Sequence, residues 1–281
     1  MKKLFGIFVV LMFSVMPVFS ASKTEWTAQN GVNRVNKIGK AILTSNNLPS
    51  KINFKVIETD EVNAYANGNS EIYVYTGLLK FVDNDAELAG VISHEIGHIL
   101  NSHVAKQSIA NTVSSTAIAV ANMSMGARLT AQVANELTML KVSRSEEYEA
   151  DITGVDLMTK AGYNPLAMVS VLYKISGNFV DFVQTHPSGD KRTMYIYDYI
   201  TYTYPQKAKA GYSTDSYKQF SAYSAPIVAK RNASPAKLKA FNKKQEKLKK
   251  KRAAKMEKYK NKSTSGWQNS YEVLKALTYV E

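Results

Sequence analysis

Apolar residues recur along this chain at two spacings. Val32, Val35, Ile38, Ile42 and Leu43 fall three and four apart, which predicts a helix within residues 23–48 that Pro49 closes. Residues 52–58 read as a strand. Residues 72–76 read as a second one, because Ile72 and Val74 alternate with Tyr73 and Tyr75 and so give the strand two different faces. Asn67, Gly68, Asn69 and Ser70 form a turn cluster between these strands and predict a meander or hairpin. Helical spacing then returns over 85–101, where Asn84 can cap the first turn and Glu87, three positions on, can complete a capping box. Further helices are expected over 110–123, 146–160, 166–175 and 192–200, with Gly162 and Pro165 ending the second of these. The fold class is α+β, mainly α, with one small sheet.

The pattern fails at both ends. Residues 1–20 read as a secretion signal, with Lys2 and Lys3, an apolar run over 4–16, Pro17, and Val18 and Ser20 placed for cleavage after Ser20. That run is shorter than the ~20 apolar residues of a membrane span. At the other end the charge is lopsided. Residues 1–205 carry 17 Lys/Arg against 18 Asp/Glu, whereas 206–262 carry 18 against 3, so the net +13 belongs to the C-terminal region. Such a segment buries too little apolar surface to fold alone, and an exposed, partly helical or disordered tail over 206–281 is expected, with 267–280 docking back as a short helix. Residues 23–205 then form the catalytic domain, and 281 residues at 45% hydrophobic content suffice for its core.

Cysteine is absent, which removes disulfides, thiol catalysis and thiolate ligands. Any metal site must use His and carboxylates. An exported chain without disulfides is at home in a bacterial periplasm.

The chemistry centres on His94-Glu95-Ile96-Gly97-His98 inside the capped helix. Residues four apart share a helical face, so both imidazoles reach one zinc ion, while Glu95 is offset by about 100° towards the attacking water. A catalytic zinc takes three protein ligands and keeps one position open. His103 lies nine residues after His94, which on a continuous helix is the opposite face, so it reads as a solvated surface residue. The downstream acidic run holds better candidates. Glu147 and Asp151 are four apart on one face, with Ala150 and Gly154 keeping that side small enough for a close approach to another helix. Glu146 and Glu149 are explained by the dipole of a helix start, although spacing alone does not exclude them as ligands.

Several stretches fall in the order of one family: Asn63-Ala64-Tyr65, Thr76-Gly77-Leu78-Leu79, Glu87-Leu88-Ala89 before the zinc motif, Arg144 with Glu147 and Asp151, and His186-Pro187 with Arg192. Over residues 30–200 the chain resembles the zinc metallopeptidases that include the HtpX-like proteases, the CAAX prenyl endopeptidases and the periplasmic β-barrel assembly-enhancing proteases. That resemblance implies a zincin-like domain with one zinc per chain, Glu147 as third ligand beside His94 and His98, and Asp151 as the partner that orients a ligand His. It also brings His186 and Arg192 to the active site, where either can donate to the oxyanion formed as Glu95 moves the proton. Residues 67–70 depart from the family's usual glycine-rich entry, which bears on substrate choice.

The expected activity is hydrolysis of peptide bonds in unfolded or misassembled envelope proteins, with the 72–75 strand pairing to extended substrate. The competing reading is a zinc-containing periplasmic chaperone or assembly factor with weak or gated proteolysis. The basic tail fits an anionic membrane or lipopolysaccharide surface, and no nucleic acid partner is expected for an exported chain.

Overall fold

A computed structural model describes residues 28–48, 51–67, 70–103, 144–178, 186 and 189–260. The expected secretion signal and the helices expected over 110–123 and 267–280 lie outside these residues. In chain order the elements are α1 (Ala28–Ser45), β1 (Asn53–Ile57), β2 (Ala64–Ala66), β3 (Glu71–Tyr75), α2 (Thr76–Phe81), α3 (Asp85–Leu100), α4 (Arg144–Lys160), α5 (Leu166–Asn178), α6 (Asp190–Thr203), α7 (Pro205–Ala210), α8 (Asp215–Asn232) and α9 (Pro235–Lys260). The fold is α+β and mainly α, as expected. Among the described residues no helix is long and apolar enough to cross a membrane.

The sheet has the order β1-β3-β2, with β1 parallel and β2 antiparallel to β3. The two expected strands, 52–58 and 72–76, are thus parallel neighbours and not a hairpin; the antiparallel partner of β3 is the short β2, which precedes residues 67–70 in the chain. This corrects one expectation. Because β3 is the middle strand, both its edges are already paired, and the 72–75 segment has no free edge for a substrate chain. Ile72 and Val74 point into the core, while Tyr73 and Tyr75 lie on the other face, where Tyr65 stacks on Tyr73 at 4.9 Å between ring centroids.

Helix α3 runs through the interior, touching α1, α4, α5 and β2, and every residue from Glu87 to Leu100 is buried. Its start is set as expected by Asn84, whose side-chain oxygen accepts from the backbone of Ala86 at 3.0 Å and Glu87 at 3.1 Å. Glu87 reaches one residue further back than a capping box does, taking the Asp83 backbone at 2.8 Å and the Ser170 hydroxyl of α5 at 2.7 Å. Asn84→Ala is expected to cost about 1–2 kcal/mol. The measurement is a fall in urea midpoint at constant m value; an unmoved midpoint would mean that Glu87 alone holds the helix start.

Where α3 crosses α4, both backbones lose their side chains. A methyl built on Gly97 would lie 2.6 Å from the Ala150 carbonyl oxygen, and one on Gly154 would lie 2.9 Å from the His94 nitrogen. The small face expected at Ala150 and Gly154 is thus the face laid against α3.

Over its described length the Lys-rich segment is helical, one of the expected alternatives, but it is docked and not a free or disordered tail. Helices α7 to α9 run through residue 260, and α9 docks by a stripe three and four apart that includes Leu238, Phe241, Gln245, Leu248, Arg252 and Tyr259. Arg252 Nε donates to Asp156 at 3.0 Å, Lys255 pairs with Glu149, and the Tyr259 hydroxyl donates to Asn101. Asp156 is buried and also accepts from Tyr199 and Tyr204. Long basic side chains cover apolar surface with their stems, which lets a sparsely apolar helix pack. Its lysines at 243, 244, 247, 249, 250 and 251 face outward.

Candidate metal centre

One turn of α3 separates His94 from His98, and their Nε2 atoms converge to 3.0 Å. From the first turn of α4, Glu147 brings Oε1 to 3.1 Å from His98 Nε2 and Oε2 to 3.6 Å from His94 Nε2. His186 arrives from beyond α5, with Nδ1 3.3 Å from His94 Nε2 and 3.2 Å from Glu147 Oε1. One donor atom from each of these four residues lies within 4.8 Å of all the others, and all four side chains are buried. His186 is therefore buried inside the cluster.

A second layer holds these residues in place. Asp151 Oδ1 lies 2.8 Å from His94 Nδ1. Arg192 donates to both Asp151 oxygens, at 2.6 Å through Nε and 2.7 Å through Nη2, and its Nη1 lies 2.6 Å from Glu147 Oε2. The guanidinium expected to face substrate is thus directed at two carboxylates. Burial alone would raise the Glu147 and Asp151 pKa values, but the Arg192 charge, with hydrogen bonds from the neighbouring histidines, outweighs it and holds Glu147 well below the usual carboxylate range and Asp151 lowered too. Burial lowers the His94 pKa despite the Asp151 contact, which keeps that ring neutral and its lone pair available. For His186 burial acts the same way but loses to the Glu147 and Glu95 carboxylates, which raise it to about 9.

Glu95 is fully buried, and neither of its oxygens accepts a hydrogen bond among the described residues. Its Oε1 lies 3.6 Å from His186 Nε2 and 4.0 Å from His94 Nε2. Two inward imidazole lone pairs and a carboxylate, beside an orphaned buried carboxylate, form a donor set that suits a borderline divalent cation with a polar ligand left over for Glu95. The residues present fit a zinc ion.

His103 is the residue that the sequence misplaced. It is 3% exposed, and its Nδ1 sits 3.1 Å from His98 Nδ1. The helical offset fails because α3 stops at Leu100, and Ser102 adopts a left-handed φ of 69° that turns the chain back. Asn101 and Ser102 after an apolar run were the available signal of a helix end. All four histidines of the chain gather here.

A family model described as Peptidase family M48 matches residues 30–199. Metalloprotease YcaL of Escherichia coli is 33% identical over 184 residues, which cover 59% of this chain and 69% of that protein. Mitochondrial metalloendopeptidase OMA1 of Arabidopsis thaliana is 36% identical over 148 residues, 50% of this chain and 30% of that one. A β-barrel assembly-enhancing protease of Escherichia coli is 27% identical over 177 residues, 56% of this chain and 36% of that protein. The chain thus spans about a third of each of the last two relatives.

Proposed function

Since the chain belongs to peptidase family M48, we propose that it is a zinc metalloendopeptidase in which His94, His98 and Glu147 hold one ion and Glu95 is the general base. The observation that carries this reading is the convergence of both His Nε2 atoms and the Glu147 carboxylate beside Glu95, whose oxygens accept no hydrogen bond among the described residues. When bound, zinc would polarise the scissile carbonyl and acidify water at that point. Glu95 takes the proton from the attacking water and later delivers it to the leaving amine. His186, held between Glu147 and Glu95, donates to the carbonyl oxygen as charge gathers on it. Arg192 and Asp151 act through other residues: Asp151 fixes the His94 ring, and Arg192 fixes both carboxylates.

The substrate we assign is extended, unfolded polypeptide. With β3 fully paired, the edge strands are β1 and β2; of these β2 packs beside α3, and main-chain pairing there would bring a scissile bond towards the centre. Quality control in a bacterial envelope is the setting we favour. It is supported by the secretion-signal pattern of residues 1–20 and by relatives named for proteolysis and β-barrel assembly. We place the chemistry in residues 23–205 and give the 206–281 segment, through the outward lysines of α9, an anionic lipid or lipopolysaccharide surface as partner.

Chelation tests the central claim. Metal-free protein is expected to lose cleavage of unfolded casein and to regain it on addition of zinc. Cleavage that survives in metal-free protein would overturn the reading.

A further inference from the structure

We propose that His103 is a positioning residue of the metal centre: it fixes the ring of His98 and ties that ring, through Glu149 and Lys255, to the basic helix α9. This inference rests on the zinc reading above and adds a connection outside it.

The Nε2 atoms of His94 and His98 face each other at 3.0 Å, so each ring turns its Nδ1 outward. His94 Nδ1 meets Asp151 at 2.8 Å. Among the described residues His98 Nδ1 meets no carboxylate; it meets His103 Nδ1 at 3.1 Å. His103 Nε2 lies 3.1 Å from Glu149 Oε2, and Lys255 of α9 donates to the other oxygen of that carboxylate. One arrangement of protons suits the whole chain of contacts. Glu149 accepts from the Nε2–H of His103, which leaves the His103 Nδ1 lone pair to accept the Nδ1–H of His98. His98 Nε2 is then bare and aimed inward, as a ligand must be. The reverse arrangement would set a lone pair against the Glu149 carboxylate and aim a proton into the ligand cluster.

The two ligand histidines are thus held by different means. His94 is held from within the catalytic helices, because Asp151 sits on α4. His98 is held by a residue that the left-handed turn at Ser102 returns to the site, and that residue is anchored to a carboxylate shared with the C-terminal helix. A histidine kept only for packing would not need its two nitrogens matched in order to a ring nitrogen and a carboxylate.

The test is zinc affinity measured by competition with a chelator, together with the visible spectrum of the cobalt-substituted protein. Removing an outer partner of a ligand His costs about 10- to 100-fold in metal affinity. His103→Ala is expected to show a loss of that size and altered cobalt bands. His103→Asn is expected to recover most of it, because its amide oxygen falls where Nδ1 lies. Lys255→Met is expected to give a smaller loss, and Lys251→Ala on the exposed face none. Wild-type affinity in folded His103→Ala would overturn the proposal; should that variant fail to fold, His103→Leu, which keeps most of the volume, is read in its place. Equal losses in the Asn and Ala variants would also overturn it, by showing that volume and not the nitrogen is needed. A wild-type protein that binds no zinc would instead sink the metal reading itself.

Discussion

Glu95→Gln is expected to lower kcat on unfolded casein by about 100- to 10,000-fold while zinc stays bound. The amide has the shape of the carboxylate but no basicity, so the attacking water keeps its proton. Nothing in the geometry makes the metal depend on this residue: His94, His98 and Glu147 converge without it, and its own oxygens accept no hydrogen bond among the described residues. Because neither oxygen accepts a hydrogen bond among the described residues, the amide forfeits none on replacing the carboxylate, and the variant should fold as the parent does. Turnover and zinc content measured on the same sample decide the matter. Near-parental turnover with zinc in place would remove Glu95 from the mechanism.

The largest effect on stability is expected at Arg192. Its guanidinium bridges Glu147 and Asp151, all three side chains are buried, and both carboxyls sit below their ordinary pKa values because of it. Arg192→Met keeps much of the volume and leaves two buried carboxylates without their cation. Breaking a buried pair in this way costs about 3–5 kcal/mol. Urea unfolding in the presence of chelator measures it. Saturating zinc is expected to recover part of the loss, since the ion neutralises Glu147 and binds only the folded state. A cost below about 1 kcal/mol would mean that the two carboxylates have another source of compensation.

Much of this was legible in the residues because the relevant spacings are local. The zinc motif needs only a continuous helix, and α3 supplies it, started by the Asn84 cap that the sequence announces. Glu147 and Asp151 were readable as one face because α4 is regular there. Three features were hidden for physical reasons. Strand β2 is three residues of Ala and Tyr, too short for alternation to register, and its insertion beside β3 is what closes the expected substrate edge. His103 was assigned by helical phase, and a single left-handed residue cancels that phase. The docking of α9 was hidden because its inward stripe uses Arg252, Lys255 and Gln245 as much as apolar residues, so a reading based on hydrophobicity takes it for a solvated helix.

The contact of Gly97 with Ala150, and of Gly154 with His94, acts as a rigid gauge for the site. With main chain against main chain there is no soft side-chain layer to compress, so the gap between the helix carrying both imidazoles and the helix carrying Glu147 is set by atomic radii. Changes elsewhere in the core alter how firmly the two helices are held and leave that gap alone. A side chain at either glycine widens the gap itself. At these two positions a defect in folding and a defect in metal capture should arise as one event, in fixed proportion to the bulk added.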